Sequence, residues 1–390
     1  MRDILYLAWK YLRFNRGKTA VLVASISLIL FLPAALQVVV REGARTLTAR
    51  ADATPLLVGA PGSAVDLTLA ALYFREPTLE PVTYRDVQSI SASGLAEAIP
   101  LHLRYDARGH RIVGTTPEYL GFRGLEVAEG RSFAILGECV LGSAAARSLG
   151  AGVGDAVLSS PAGAFDVAGS FPLKMRVVGV LGASDTADDE AVLVDLKPAW
   201  VIAGPAHGHD DVTVPGAESG VLSRSDDNVV ANASVLSYTE ITPDNISGFH
   251  FHGAPDAFPV DAVIAVPNDR KSGVVLRGRY AESDGEVQMV VPRAVVDDLV
   301  ETMFSVRDAI FAVSIGLGLA TIATAILVFA LSIRVRRREL DTMRKIGASG
   351  GRMRAVLGTE VLLVVLSSLV IAAVLTAAVG RFGGAVVGLL

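Results

Sequence analysis

The sequence predicts an α+β membrane protein: three transmembrane helices with a large extracytoplasmic α/β domain carrying a β-rich insertion. Three observations lead there. Apolar runs at 19–40, 309–333 and 355–378 are each long enough, at about 1.5 Å per residue, to cross a hydrocarbon core of about 30 Å. A hydrophobic fraction of 51% with mean hydropathy +0.48 places the whole chain in the membrane class. Between the first two runs lies a long segment with strand and helix periodicities and turn residues at their ends, the pattern of a folded domain.

The N-terminal 1–18 segment has Ile4, Leu5, Leu7, Ala8, Tyr11 and Leu12 at helical spacing, with Arg2, Lys10 and Arg13 interleaved. This predicts an interfacial helix on the inner leaflet, its Tyr6, Trp9 and Tyr11 at the headgroup level, before the chain turns in at Gly17. A plain cytoplasmic flank is the simpler alternative. The first apolar run, 22 residues long, exceeds the roughly 7–15 residues of a signal-peptide core, so an uncleaved anchor is expected. Pro33 and Gln37 in its outer half predict a kink.

Charge sets the orientation. Arg2, Lys10, Arg13, Arg16 and Lys18 outweigh Asp3 before the first run, and eight basic residues outweigh Glu339 and Asp341 in 334–354. Both segments are therefore cytoplasmic by the positive-inside rule. The 41–308 segment then lies outside, and its 21 basic and 36 acidic residues, a formal charge of −15, disfavour nucleic acid as a partner.

Within the outer segment, 55–61 reads as a strand and 64–74 as a helix. From Arg111 to about 203 the character changes to short β-branched runs bounded by glycines, with a helix at 143–149; this is the β-rich insertion. Strand and helix return at 260–266, 269–280 and 287–292, followed by a helix at 293–307 that runs into the second span. The 204–258 stretch, rich in Gly, Pro, Asp, Asn and His, is the least regular. Cys139, the only cysteine, excludes an intrachain disulfide and reads as a core residue.

These residues support a family resemblance. The blocks Val113-Gly-Thr-Thr-Pro-Glu-Tyr-Leu, Leu125-Glu-Val-Ala-Glu-Gly-Arg-Ser-Phe, Val140-Leu-Gly-Ser-Ala-Ala-Ala-Arg-Ser-Leu-Gly, Val153-Gly-Asp and Val177-Val-Gly-Val-Leu are similar to the extracytoplasmic core domain of MacB-like ABC transporter permeases. The loop Arg337-Arg-Glu-Leu-Asp-Thr-Met-Arg-Lys-Ile-Gly-Ala-Ser resembles the signature of FtsX-type members. The resemblance implies a non-catalytic permease subunit of a bacterial inner membrane. A separate cytoplasmic ABC ATPase, binding ATP and magnesium, would drive motion of the outer domain. Export, lipoprotein or lipid extraction and mechanotransmission are the roles it implies, with a second copy or paralogue as dimer partner, and with membrane lipid and a periplasmic protein or lipoprotein as further contacts. The sequence agrees in lacking a Gly-x-x-x-x-Gly-Lys-Ser/Thr phosphate loop, so no nucleotide cofactor is expected in this chain. The family usually has four spans; here only 379–390 follows the third, which predicts a C-terminus outside or in the outer leaflet.

The 334–354 loop is the first candidate site. On a helix, Leu340, Met343 and Ile346 present apolar side chains, with Arg337, Arg338, Glu339, Arg344 and Lys345 around them and Gly347 as the break. The resemblance implies a coupling helix seated in the ATPase; a basic anchor on anionic lipid explains the charge but not Glu339, Asp341 or the glycines.

The second candidate is a pair of His-x-His motifs, His207/His209 and His250/His252. Alternate residues of an extended chain share a face, so each pair could offer two imidazoles to zinc; the plainer alternative is four polar loop residues that never meet. A metal-binding adaptor or membrane-anchored sensor without a transport cycle is the corresponding alternative function. Asp185, Asp188, Asp189 and Glu190 read as a solvated turn, because their spacing does not fit a calcium loop. Ser314, Gly316, Gly318 and Ala320 read as one small-residue surface suited to close helix packing against a partner subunit, the plainer alternative being that small residues are common in any membrane helix. In the third span, Glu360 is expected to reach headgroups or a neighbouring arginine from its cytoplasmic end.

Overall fold

The computed structural model describes residues 2–160, 172–208, 221–225, 228–231, 239–242, 244–282, 287–335, 342, 345 and 349–387. It divides into two units, one made of Met1–Thr48 and Asp297–Leu390 and the other of Ala49–Val296.

The first unit is helical. Helix α1 (Arg2–Phe14) is followed by α2 (Arg16–Asp52). The break falls at Asn15 rather than Gly17, although helical bonds still run across it, from the Asn15 amide to the Tyr11 carbonyl and from the Thr19 amide to the Asn15 carbonyl. Pro33 lies inside α2 without ending it. The remaining long helices of this unit are the apolar parts of Pro292–Val335 and Gly350–Val387. These and α2 are three helices long and apolar enough to cross a membrane among the described residues.

In the last helix, Glu360, Val364, Ser368 and Ala372 are buried at four-residue spacing, one stripe of a helix. Ser368 donates from Oγ to the Val23 carbonyl, and the Ser27 hydroxyl donates to the Ser368 carbonyl at 3.2 Å. Glu360 therefore sits on the packed stripe, 2% exposed, instead of reaching headgroups.

The second unit is built on a sheet. Its elements in chain order are β1 (Leu56–Gly59), α3 (Ala64–Tyr73), β2 (Val82–Thr83), α4 (Tyr84–Ala92), β3 (Ala96–Ala107), β4 (His110–Thr115), α5 (Glu118–Arg123), β5 (Val127–Gly130), β6 (Glu138–Leu141), α6 (Ser143–Leu149), β7 (Ala156–Leu158), β8 (Lys174–Leu181), β9 (Val192–Asp195) and α7 (Leu196–Ala203). After these come β10 (Ala206–Gly208), β11 (Val221–Ser225), β12 (Asn228–Ala231), β13 (Phe249–Phe251), β14 (Pro259–Val260), β15 (Ala262–Pro267), α8 (Arg270–Ala281), β16 (Gln288–Val290), then α9 (Pro292–Val335) and α10 (Gly350–Val387). Local chemistry sets many of the ends: Ser63, Asp195 and Asp269 cap α3, α7 and α8 by accepting from first-turn amides, which satisfies donors a helix leaves orphaned.

Among the described residues ten strands form one sheet in the order β16-β1-β15-β3-β4-β9-β6-β8-β5, with β7 also on β8. Among the described strand pairs of this sheet, β4–β9 and β6–β8 are parallel and the others antiparallel. The insertion is thus not a separate sheet: β3 pairs β15 through Ala96–Leu101 and β4 through His102–Ala107.

Where β3 changes partner its register shifts between His102 and Tyr105, and the bulge leaves polar groups to satisfy. Asp261 does this from 5% exposure. Its Oδ2 accepts from Leu103 N at 2.7 Å and bonds His102 Nδ1 at 3.0 Å, while Oδ1 accepts from Arg104 Nε at 2.7 Å. Although burial opposes its charge, these partners hold the Asp261 carboxyl below the usual carboxylate range. Two apolar cores flank this crossing. One gathers Leu56, Val58, Ile90, Trp200 and Val263, and the other Ile112, Cys139, Leu141, Met175 and Val194.

Candidate functional site

Arg50, in the last turn of α2, is the charged centre of a buried cluster in the second unit. Its Nη1 lies 2.5 Å from Asp188 Oδ2 and its Nη2 3.2 Å from Asp188 Oδ1, the two-point geometry a planar guanidinium offers a carboxylate. The Nη2 also donates to the Tyr119 hydroxyl at 3.1 Å, and that hydroxyl donates to Asp188 Oδ1 at 2.7 Å. Thr186 completes the carboxylate by donating to Oδ2 at 2.8 Å. The guanidinium stands over the Phe74 ring, 5.4 Å from its centroid.

Sequence-distant elements assemble this cluster. Asp188 sits in a short 3₁₀ turn, Ala187–Glu190, capped by Thr186. The turn is pressed against Gly142, where an added Cβ would lie 2.2 Å from the Asp188 carbonyl oxygen. Arg123 joins at the end of α5, donating from Nη1 to Thr54 Oγ1 at 2.9 Å, while Thr54 donates to the Arg50 carbonyl. Arg50 Nε and Arg123 Nε and Nη2 are buried without a hydrogen-bond partner among the described residues. The aromatic faces of Tyr119 and Phe122, 5.6 and 4.9 Å from the Arg123 guanidinium carbon, offset part of that cost.

The electrostatics are those of a fixed ion pair. Burial opposes ionisation of Asp188, but Arg50 and the bonds from Arg50, Tyr119 and Thr186 pull its pKa below the ordinary value. Burial pushes the Tyr119 phenol up to about 12, and Tyr73 likewise. Burial first, with Arg50 adding to it, lowers the pKa of Arg123. No group here is poised to titrate near neutrality, so the cluster suits holding elements together rather than proton transfer.

Asp188 corrects the expectation of a solvated acidic turn. The side chain is fully buried, and Asp189 closes the same turn by accepting from the Ser184 and Asp185 amides at 2.9 and 2.8 Å. The signal that could have marked it is Arg50 itself, a cation with no acidic residue three or four positions away, although Arg41 shares that mark.

Of the expected coupling residues, only Lys345 is described, in a helical conformation. Arg337, Arg338, Glu339, Leu340, Met343, Arg344, Ile346 and Gly347 lie outside the described residues. The small residues of α9 do not form one surface. Ser314 and Gly318 are half-buried, with a Cβ on Gly318 falling 3.7 Å from Ile29 Cγ2, whereas Gly316 and Ala320 are exposed. At about 100° per residue, positions two apart point nearly oppositely, and only the four-residue spacing shares a face.

The two His-x-His motifs do meet along the backbone. β10 and β13 are antiparallel with His207 directly opposite His250, and the His252 amide bonds the Pro205 carbonyl at 2.9 Å. The His250 and His252 rings are 4.7 Å apart between centroids. His209 lies outside the described residues, and among the described residues no three metal-ligand side chains form a group.

The 20–249 portion of the chain matches the family described as the MacB-like periplasmic core domain. Two solved structures are similar to it. The periplasmic region of MacB from Actinobacillus actinomycetemcomitans has 10% identity and a TM-score of 0.35, covering 65% of this chain and 97% of its own. The extracellular domain of the noncanonic ABC-type transporter YknZ from Gram-positive bacteria has 12% identity and a TM-score of 0.31, covering 61% and 99%. No curated protein matches as a sequence relative.

Proposed function

The chain belongs to the MacB-like periplasmic core domain family, and from that premise we propose that it is the permease subunit of an ABC-type transporter. ATP is hydrolysed in a separate cytoplasmic ATPase that grips the 334–354 loop, above all Glu339, Leu340, Met343 and Ile346. Three helices cross the bacterial inner membrane, and two permease subunits pair. The work done outside is a change of shape in the β-sheet unit, used for export, lipoprotein extraction or mechanical signalling.

The observation that carries this reading is the Arg50 cluster. α2 is apolar over 19–40, and its last turn delivers a cation to Asp188 and Tyr119 in the insertion. A displacement of that turn is therefore felt through a buried, charge-assisted contact instead of a slack tether. Arg293, at the start of α9, pairs with Asp52 at the end of α2, so the outer ends of these two helices are also tied to each other.

Affinity purification of the full chain in mild detergent tests the proposal. A P-loop ATPase is expected to co-purify, and Glu339→Ala or Met343→Ala is expected to abolish stimulation of its hydrolysis by the permease. Recovery of the chain with no ATPase, under conditions that preserve membrane complexes, overturns it and favours an anchored sensor or adaptor.

A further inference from the structure

Within the helical unit, α2 and α9 approach each other at Gly318, where an added Cβ would lie 3.7 Å from Ile29 Cγ2. Later in α2 and earlier in α9, the two helices border a crevice lined by Pro33, Leu36, Gln37, Arg307, Asp308 and Phe311. Its volume of about 200 Å³ is several times the roughly 30 Å³ share of one water, so it takes a molecular group rather than a single solvent molecule. Pro33, Leu36 and Gln37 share one face of α2 at helical spacing, and Arg307 and Phe311 share one face of α9. The lining is graded. Pro33, Leu36 and Phe311 fall inside the apolar runs 19–40 and 309–333, and Arg307 and Asp308 stand immediately before the second of them.

The two charges form an open pair. Arg307 Nε lies 2.8 Å from Asp308 Oδ1 and Nη2 donates to the same oxygen, while the guanidinium stands over the Phe304 ring, 4.8 Å from its centroid. With side-chain exposures of 31% and 67%, such a pair is weakly held and can exchange with the charges of a ligand. We propose that the crevice binds one zwitterionic phospholipid of the phosphatidylethanolamine class. The Arg307 fork takes its phosphate, the Asp308 carboxylate takes its ammonium, the Gln37 amide donates to an ester carbonyl, and an acyl chain lies along Pro33, Leu36 and Phe311. A cation and an anion side by side complement a headgroup that carries both charges, whereas Asp308 repels a purely anionic one. Their place at the edge of an apolar run sets them at headgroup depth, with Phe311, 54% exposed, among the chains. The inference rests on the reading of α2 and α9 as membrane-crossing helices and is independent of ATP-driven work.

Tryptophan quenching by brominated phospholipids tests this, with the full chain reconstituted in vesicles of phosphatidylethanolamine and phosphatidylglycerol in equal amounts. Phe311→Trp senses the crevice and Leu319→Trp, at a position 64% exposed, senses bulk lipid, after subtraction of the wild-type signal of Trp9 and Trp200. With bromine carried on one lipid at a time, Phe311→Trp is expected to show phosphatidylethanolamine enriched at least about threefold, and Leu319→Trp no enrichment. Adding Asp308→Asn to Phe311→Trp should abolish the preference and leave the circular dichroism unchanged, because Asp308 is exposed. Equal quenching by the two lipids at Phe311→Trp, or a preference that survives Asp308→Asn, overturns the site alone. Quenching at neither position overturns the membrane-crossing reading and the site with it.

Discussion

The guanidinium of Arg50 and the carboxylate of Asp188 are 138 positions apart in sequence, and they meet as a buried pair with side-chain exposures of 7% and 1%. Removing one partner of such a pair leaves a desolvated charge behind. Asp188→Asn and Arg50→Met are therefore each expected to destabilise the sheet unit by about 3–5 kcal/mol, with the double variant losing less than the two single losses added together. Chemical denaturation of all three variants checks this; strict additivity would mean the contact carries no coupling.

Acid should weaken the same unit. Asp188, Asp261 and Glu138 all have pKa values lowered in the folded state, in each case against burial and by bonded partners. A lowered carboxylate pKa contributes stability that is fully present above the unfolded value, and this is lost as pH falls through the folded one. The stability contributed by these groups is expected to be flat from pH 7 to about 5 and to fall below about pH 4. Denaturation midpoints across that range should show the decline, and Asp261→Asn should make it shallower.

Gly142 gives an independent handle on the Arg50 cluster without touching a charge. A methyl there would overlap the carbonyl oxygens of Asp188 and Asp189, at 2.2 and 2.4 Å from the added carbon. Backbone cannot rotate away as a flexible side chain does, so Gly142→Ala must displace the 3₁₀ turn. The expected cost is about 1–3 kcal/mol, together with faster amide exchange at Asp189, whose N–H bonds Thr186.

Cys139 should be inert in the native chain. Burial first, with Glu138 beside it, pushes its thiol up to about 12, and only the thiolate reacts. Maleimide is expected to leave the native protein unlabelled at pH 7.5 and to add one label after denaturation, as read by intact mass. Rapid native labelling would show that the β6 core opens.

Much of the scaffold was legible in the residues. Hydropathy located the apolar runs inside α2, α9 and α10, because burial in lipid is a requirement on every residue of a window. Alternation and glycine punctuation located β1, β6, β8 and β15, and the helix at 143–149 coincides with α6. Signals of this kind extend over a few turns or one strand, and so does what they can specify.

The sequence by itself determined that the chain has long apolar helices and an α/β unit, which segments carry strands, and that Cys139 is core. Only the tertiary structure decided the partnerships. It joined the insertion to its flanks through β3, bulged at Leu103 and sealed by Asp261; it made Asp188 the buried partner of Arg50; and it brought His207 opposite His250. The physical reason is that periodicity records only whether a residue faces apolar or polar surroundings. The particular carboxylate, imidazole or carbonyl it meets is set by how distant strands are ordered in the sheet, and a one-residue change of register there would exchange every partner.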